Sequence, residues 1–126
     1  PEVGKVGRDT DDGLQWELGA AEAGLAALAE LERRAEQEGN EGTIPYYLGH
    51  RASCLLALGR FDAARQAALE HLAHAEATRQ NGQRIQALYL LASAHAYLGE
   101  LDRAHSEIVE VGDAIAGDDD PWLAGS

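Results

Sequence analysis

Apolar residues recur along much of this chain at intervals of three and four positions, the spacing that places them on one face of an α-helix. The first clear stripe lies in residues 43–58 and contains Leu48, Ala52, Leu55 and Leu58. A helix with such a stripe buries it against a neighbour. The pattern therefore predicts a protein built by packing helix on helix.

The same pattern returns forty residues later in the sequence. Residues 58–64 read LGRFDAA and residues 98–104 read LGELDRA, and a fixed period of this length is typical of stacked helical repeats. Gly59 and Gly99 mark the predicted turns between helices, because a helix often ends on a left-handed residue and glycine adopts that conformation at low cost. Small residues predict close helix crossings at Ala52, Ala92, Ala64 and Ala104.

The two ends of the chain lack a clear copy of the repeat. Apolar residues keep three-four spacing from about residue 12 to residue 38, which predicts one long helix over 12–38. A turn at Gly19 would instead place a weaker copy of the repeat in 14–38. Residues 1–10 are predicted to form a flexible arm, and residues 118–126 a linker and the start of a further helix.

The repeat resembles the tetratricopeptide repeat family, in the forty-residue form found in bacterial regulatory proteins. The residues that carry the resemblance lie in 43–116, around Gly59 and Gly99. It implies an all-α fold in which antiparallel helical hairpins, 43–78 and 83–116, stack as a right-handed α-solenoid of about five helices. The repeat domain is expected to span 11–117.

Composition and charge narrow the classes of function. The formal net charge of −12 opposes binding to nucleic-acid phosphates, so no direct nucleic-acid partner is predicted. No apolar run approaches the roughly 20 residues that span a bilayer, so no membrane association is predicted. Cys54 is the single cysteine, which excludes an internal disulfide and favours a reducing, cytoplasmic location.

Candidate catalytic and metal-binding groups are few. His71 and His74 lie one helical turn apart, but no third or fourth metal ligand is close in the sequence. His50 and Cys54 share a helix face, yet a nucleophilic pair needs a third, orienting group that the sequence does not supply. His95 replaces an apolar residue of the stripe and is predicted to pack in the core. We therefore predict no catalytic residues, no metal and no cofactor.

A surface for binding another molecule remains. In the resembled family the first helix of each hairpin lines a concave groove that holds an extended peptide or a partner helix. The resemblance implies a groove lined by Tyr46, Gly49, His50, Ser53, Leu56, Gln86, Tyr89, Ser93 and Tyr97. Tyrosines favour recognition of another chain because they offer rigid, amphipathic contact area. Alternatively, some of these tyrosines only pack between hairpins.

These features together predict a non-catalytic interaction or scaffolding module, the repeat portion of a larger bacterial regulatory or signalling protein with a protein or peptide partner. Two alternatives stay open. One is a ligand-gated regulatory domain whose groove takes a small molecule or short peptide. The other is a homo-oligomerisation module.

Overall fold

The computed structural model describes residues 2–39 and 44–118, and the side chains of residues 17–39 and 47–117. All the secondary structure in these residues is helical, which confirms the predicted all-α fold. The five helices are α1 (Glu2–Glu38), α2 (Ile44–Ala57), α3 (Phe61–Ala77), α4 (Asn81–Tyr97) and α5 (Leu101–Asp118). Each helix packs against the next one along the chain. The result is a helical-repeat fold.

The turns between helices recur every twenty residues with one backbone geometry. A residue with positive φ follows each of the first four helices: Gly39 (70°), Gly59 (74°), Arg79 (54°) and Gly99 (84°). At the second turn the Gly59 amide donates to the Leu56 carbonyl at 3.0 Å, and the Arg60 amide to the Leu55 carbonyl at 2.9 Å. This pair of hydrogen bonds closes a helix end that has a left-handed residue, and it recurs after α3 and α4.

The turn after α3 falls in the gap between the two predicted hairpins, 43–78 and 83–116. Its left-handed position holds Arg79, an L-residue that pays a steric cost of about 1–2 kcal/mol in this conformation. The hydrogen bonds are nevertheless the same, from the Arg79 amide to the Glu76 carbonyl (3.3 Å) and from the Gln80 amide to the Ala75 carbonyl (3.0 Å). The backbone therefore joins α3 to α4 in the way that it joins the two helices of each predicted hairpin.

Helix α1 is longer than the sequence predicted. It begins at Glu2, whereas the sequence predicted that the helix would start at about residue 12, after a flexible arm. Glycines within a helix each cost about 1 kcal/mol relative to alanine, a penalty that does not prevent a helix from extending. The helix also continues through Gly19, where the alternative interpretation placed a turn. The further helix predicted within 118–126 lies outside the described residues, apart from Asp118 at the end of α5.

The core lies where α4 packs against both α2 and α3. Its cluster of buried residues contains Ala52 and Leu55 of α2, Ala64, Ala67 and Ala68 of α3, and Leu90, Leu91 and Ala94 of α4. The four small residues predicted at helix crossings are all buried, with Ala52 at 0 % exposure and Ala64 at 1 %. Alanine lets the backbones approach closely, so the crossings depend on these residues staying small.

Ion pairs connect α1 to the first hairpin. Arg51 of α2 pairs with Glu32 of α1, and Arg60 in the following turn lies 2.6 Å from Glu22. Exposed ion pairs contribute only about 0–1 kcal/mol each, so they add little to the packing of α1 on α2. None of the described helices is apolar over a stretch long enough to span a bilayer.

Candidate functional site

An open groove of about 360 Å³ runs between α4 and α5. Its floor consists of the buried alanines Ala92 and Ala104, one from each helix. Its full lining is Tyr89, Ala92, Ser93, Ala96, Ala104, His105 and Ile108. Small residues on the floor and large ones at the edges leave a depression that is mostly apolar. We name this feature the α4/α5 groove.

Two tyrosines of α4 are largely exposed. Tyr89 lines the groove at 59 % exposure, and Tyr97 at the end of the helix is 68 % exposed. The ring of Tyr97 stacks on the ring of Phe61, with centroids 4.6 Å apart and planes inclined by 3°. This stacking restrains the Tyr97 side chain although most of its surface is exposed.

Several residues of the predicted groove lie at the surface of α2 and α4. His50 and Gln86 are exposed. The Ser53 hydroxyl donates to the Gly49 carbonyl at 3.1 Å, and the Ser93 hydroxyl donates to the Tyr89 carbonyl at 3.0 Å. Both hydroxyls therefore donate their hydrogen bond within their own helix and remain available to a ligand only as acceptors. The side chain of Tyr46 lies outside the described residues.

The other predicted groove residues, Gly49 and Leu56, point into the stack. Gly49 is buried, and a Cβ atom at this position would lie 3.0 Å from Cε1 of His71 and 3.2 Å from Oε1 of Gln86. Leu56 is half-buried and packs against the core cluster. Gly49 is therefore covered by side chains of α3 and α4, whereas Leu56 remains partly exposed.

The wall of the groove formed by α5 was missed by the sequence analysis. His105 and Ile108 line it, whereas the resemblance directed attention only to the first helix of each hairpin. A signal was present in the repeat alignment. Ile108 stands forty residues after Ala68, so a large apolar side chain occupies a position that holds a buried alanine in the preceding copy.

His71 of α3 is a fully buried histidine that contacts α4. Its exposure is 0 %, and its Nε2 atom lies 2.9 Å from Oε1 of Gln83. Its Nδ1 atom has no hydrogen-bond partner among the described residues. Burial lowers the pKa of His71 below its ordinary value of 6.5, the hydrogen bond to Gln83 opposes that shift, and nearby His74 adds to it. The neutral imidazole is therefore the form that the fold accommodates.

The burial of His71 predicts that the folded protein is less stable at acidic pH. Because the pKa of His71 is lowered on folding, the unfolded chain binds more protons than the folded chain as the pH falls below 6.5. The contribution of the neutral His71 side chain to stability is therefore fully present above pH 6.5. It is lost as the pH falls from that value through the folded pKa. Urea unfolding at pH 7.5 and pH 5.5 measures this loss. We expect His71→Gln, which removes the buried imidazole, to reduce this loss of stability. Equal pH dependence in wild type and His71→Gln would contradict the assignment.

His95 is buried in α4, and Cys54 is partly buried in α2. Nδ1 of the buried His95 lies 2.7 Å from Oε1 of Glu107, a contact between α4 and α5. Burial raises the pKa of the Cys54 thiol, which disfavours the reactive thiolate. Among the described residues, no three His, Cys, Asp or Glu side chains are grouped so as to hold a metal ion.

Comparison with known proteins returned nothing similar to this chain: no family model, no curated protein and no solved structure matches it.

Proposed function

We propose that this protein is a tetratricopeptide-like interaction module that binds a segment of another protein in the α4/α5 groove. It has no catalytic role of its own and serves as the recognition portion of a larger bacterial regulatory protein. The observation that supports this most directly is the exposure of Tyr89 beside an apolar depression. A large, rigid aromatic side chain next to a depression is a frequent anchor in protein recognition.

The shape of the groove favours a protein segment over a small molecule. Sites for small molecules have volumes of about 300–1,000 Å³ and enclose most of the ligand surface. The α4/α5 groove is at the lower end of that range at about 360 Å³ and is open along one side. It suits side chains presented by a larger partner, which supplies the missing cover itself.

Truncation of Tyr89 tests the proposal. We expect Tyr89→Ala to weaken binding by about fivefold to thirtyfold, the usual cost of removing an aromatic anchor. A peptide array probed with the full chain finds ligands, and fluorescence anisotropy then measures their affinity. Leu69→Ala is the matched control, since Leu69 is an exposed apolar residue of α3 (41 %) outside the groove lining. Unchanged affinity in Tyr89→Ala would remove the groove from the proposal.

A further inference from the structure

Helix α5 has a single neighbour among the described elements. It packs on α4 alone, whereas α3 packs on both α2 and α4. Its contact with α4 includes two small residues on the floor of the groove, Ala92 and Ala104, which are 3 % and 8 % exposed. Small side chains allow the helices to approach closely, but they do not fix how α5 is rotated. The position of α5 therefore depends on more directional contacts with α4.

Helical geometry places the groove and a buried hydrogen bond on opposite sides of these alanines. Successive residues of an α-helix are about 100° apart around the axis. Around α5, Glu107 lies about 60° to one side of Ala104, and Ile108 of the groove lies about 40° to the other side. The same spacing around α4 places His95 on one side of Ala92 and the remaining groove residues on the other. Because the helices are antiparallel, His95 and Glu107 meet on the side away from the groove.

The contact between His95 and Glu107 is short and largely buried. Nδ1 of His95 lies 2.7 Å from Oε1 of Glu107, and the two side chains are 5 % and 15 % exposed. A carboxylate only accepts hydrogen bonds, so His95 donates through Nδ1. A hydrogen bond to a charged acceptor away from water is strong and directional. The link from Arg84 to Glu110, on the same side of the helices, is longer at 3.4 Å and more exposed.

The preceding copy of the repeat has an apolar pair at the same positions. Forty residues before His95 and Glu107 are Leu55 and Ala67, and both belong to the buried core cluster. The contact between α2 and α3 therefore forms without a polar pair, so packing of the repeat does not require one. The surroundings differ, because α3 has a second neighbour in α4 and α5 has no second neighbour among the described helices. The polar pair occurs where a helix is held from one side.

We propose that His95 is a positioning residue for the α4/α5 groove. Its hydrogen bond to Glu107 fixes the rotation of α5 on α4, and this rotation sets the position of Ile108 across the groove from Tyr89. The inference rests on the proposed function, because it assigns the pair a role in forming that binding site. A site that is formed before its partner arrives is less costly to fill, so fixing α5 strengthens binding.

Exchanging the pair for its apolar equivalents separates positioning from stability. The double variant His95→Leu/Glu107→Ala reproduces the first copy and removes both polar groups together. Apolar replacement of a buried polar pair is often neutral or stabilising, so we expect the Tm to stay within about 5 °C of the wild type or to rise. We expect the fluorescent peptide selected on the array to bind at least about fivefold more weakly. A larger fall in Tm would overturn the proposal by making the pair a stabilising contact.

Spin labels report the position of α5 without any peptide. On a Cys54→Ala background, Gln66→Cys of α3 and Asp113→Cys of α5 provide two exposed attachment sites. Double electron–electron resonance measures the distance between the labels. We expect one narrow distance distribution in this background and a shifted or broader one when His95→Leu/Glu107→Ala is added. Glu107→Gln keeps an acceptor for His95 and is expected to retain the narrow distribution. An unchanged distribution in the double variant would overturn the proposal.

Glu110→Leu is the matched control. It removes a carboxylate from the same side of α5, but its pair with Arg84 is more exposed, so we expect unchanged peptide affinity. An equal loss of affinity in Glu110→Leu and the double variant would contradict the role of His95. Peptide binding that is lost in Tyr89→Ala but kept in the double variant would overturn this inference alone. Binding that is insensitive to Tyr89→Ala would count against the proposed function, whereas the label distances still decide whether the pair positions α5.

Discussion

Replacing Leu91 by alanine is expected to destabilise the protein by about 2–5 kcal/mol, the cost of removing a large aliphatic side chain from a packed core. Leu91 is 3 % exposed and belongs to the cluster that joins α2, α3 and α4. Truncation removes apolar contacts and leaves a cavity between helices. The surrounding alanines are too short to move into that cavity, so little of the cost is recovered.

Thermal unfolding measures this loss. A change of 1 kcal/mol shifts the Tm of a domain of this size by about 3–5 °C, so we expect Leu91→Ala to lower the Tm by on the order of 10 °C. Leu69→Ala is the matched control, because it makes the same chemical change at a position that is 41 % exposed in α3. A Tm change of similar size in both variants would contradict the assignment of Leu91 to the core.

The effect of Leu91→Ala is expected to reach other helices, because each helix of a repeat stack depends mainly on its neighbours. Leu91 lies in the helix that contacts α2, α3 and α5. Loss of the Leu91 side chain therefore weakens both the packing of α4 on the first hairpin and the packing of α5 on α4. The α4/α5 groove depends on α4, so we expect ligand binding and thermal stability to fall together in Leu91→Ala.

Much of the fold was predictable from the sequence because two local signals agree. The three-four spacing of apolar residues predicted the helices, and Gly59 and Gly99 predicted two of the turns, where the structure has φ values of 74° and 84°. The break between the predicted hairpins also contains the turn at Arg79, but the left-handed conformation of that residue was not predicted, because arginine seldom adopts it. The extension of α1 to Glu2 was missed because the apolar spacing that predicts a buried face is absent from residues 1–10.

The candidate site was less predictable than the fold. Helical spacing indicates which residues share a face, but not which face a neighbouring helix covers. Gly49 and Tyr89 hold the same repeat position, yet Gly49 is closed in by His71 of α3 and Gln86 of α4, whereas Tyr89 is 59 % exposed. The difference arises because α4 packs against the first hairpin while no described helix packs in the same way against the second.

Ala52→Leu is expected to destabilise the protein by about 1–3 kcal/mol through overpacking, although it adds apolar surface. Ala52 is 0 % exposed and lies in the cluster with residues of α3 and α4. The larger side chain has no free volume to enter, so α2 must move away from its neighbours. Alanine and leucine are both strong helix formers, so helix propensity accounts for little of the change.

Ala57→Leu is the control that separates the effect of overpacking from the effect of exchanging an alanine for a leucine. Ala57 lies in the same helix but is exposed, so we expect its stability to remain within about 0.5 kcal/mol of the wild type. Urea unfolding gives both free energies, and a lower urea midpoint with an unchanged slope shows lost stability without a change in the surface exposed on unfolding. If Ala52→Leu instead matches or exceeds the wild-type midpoint, α2 and α3 do not cross as closely as the burial of Ala52 implies.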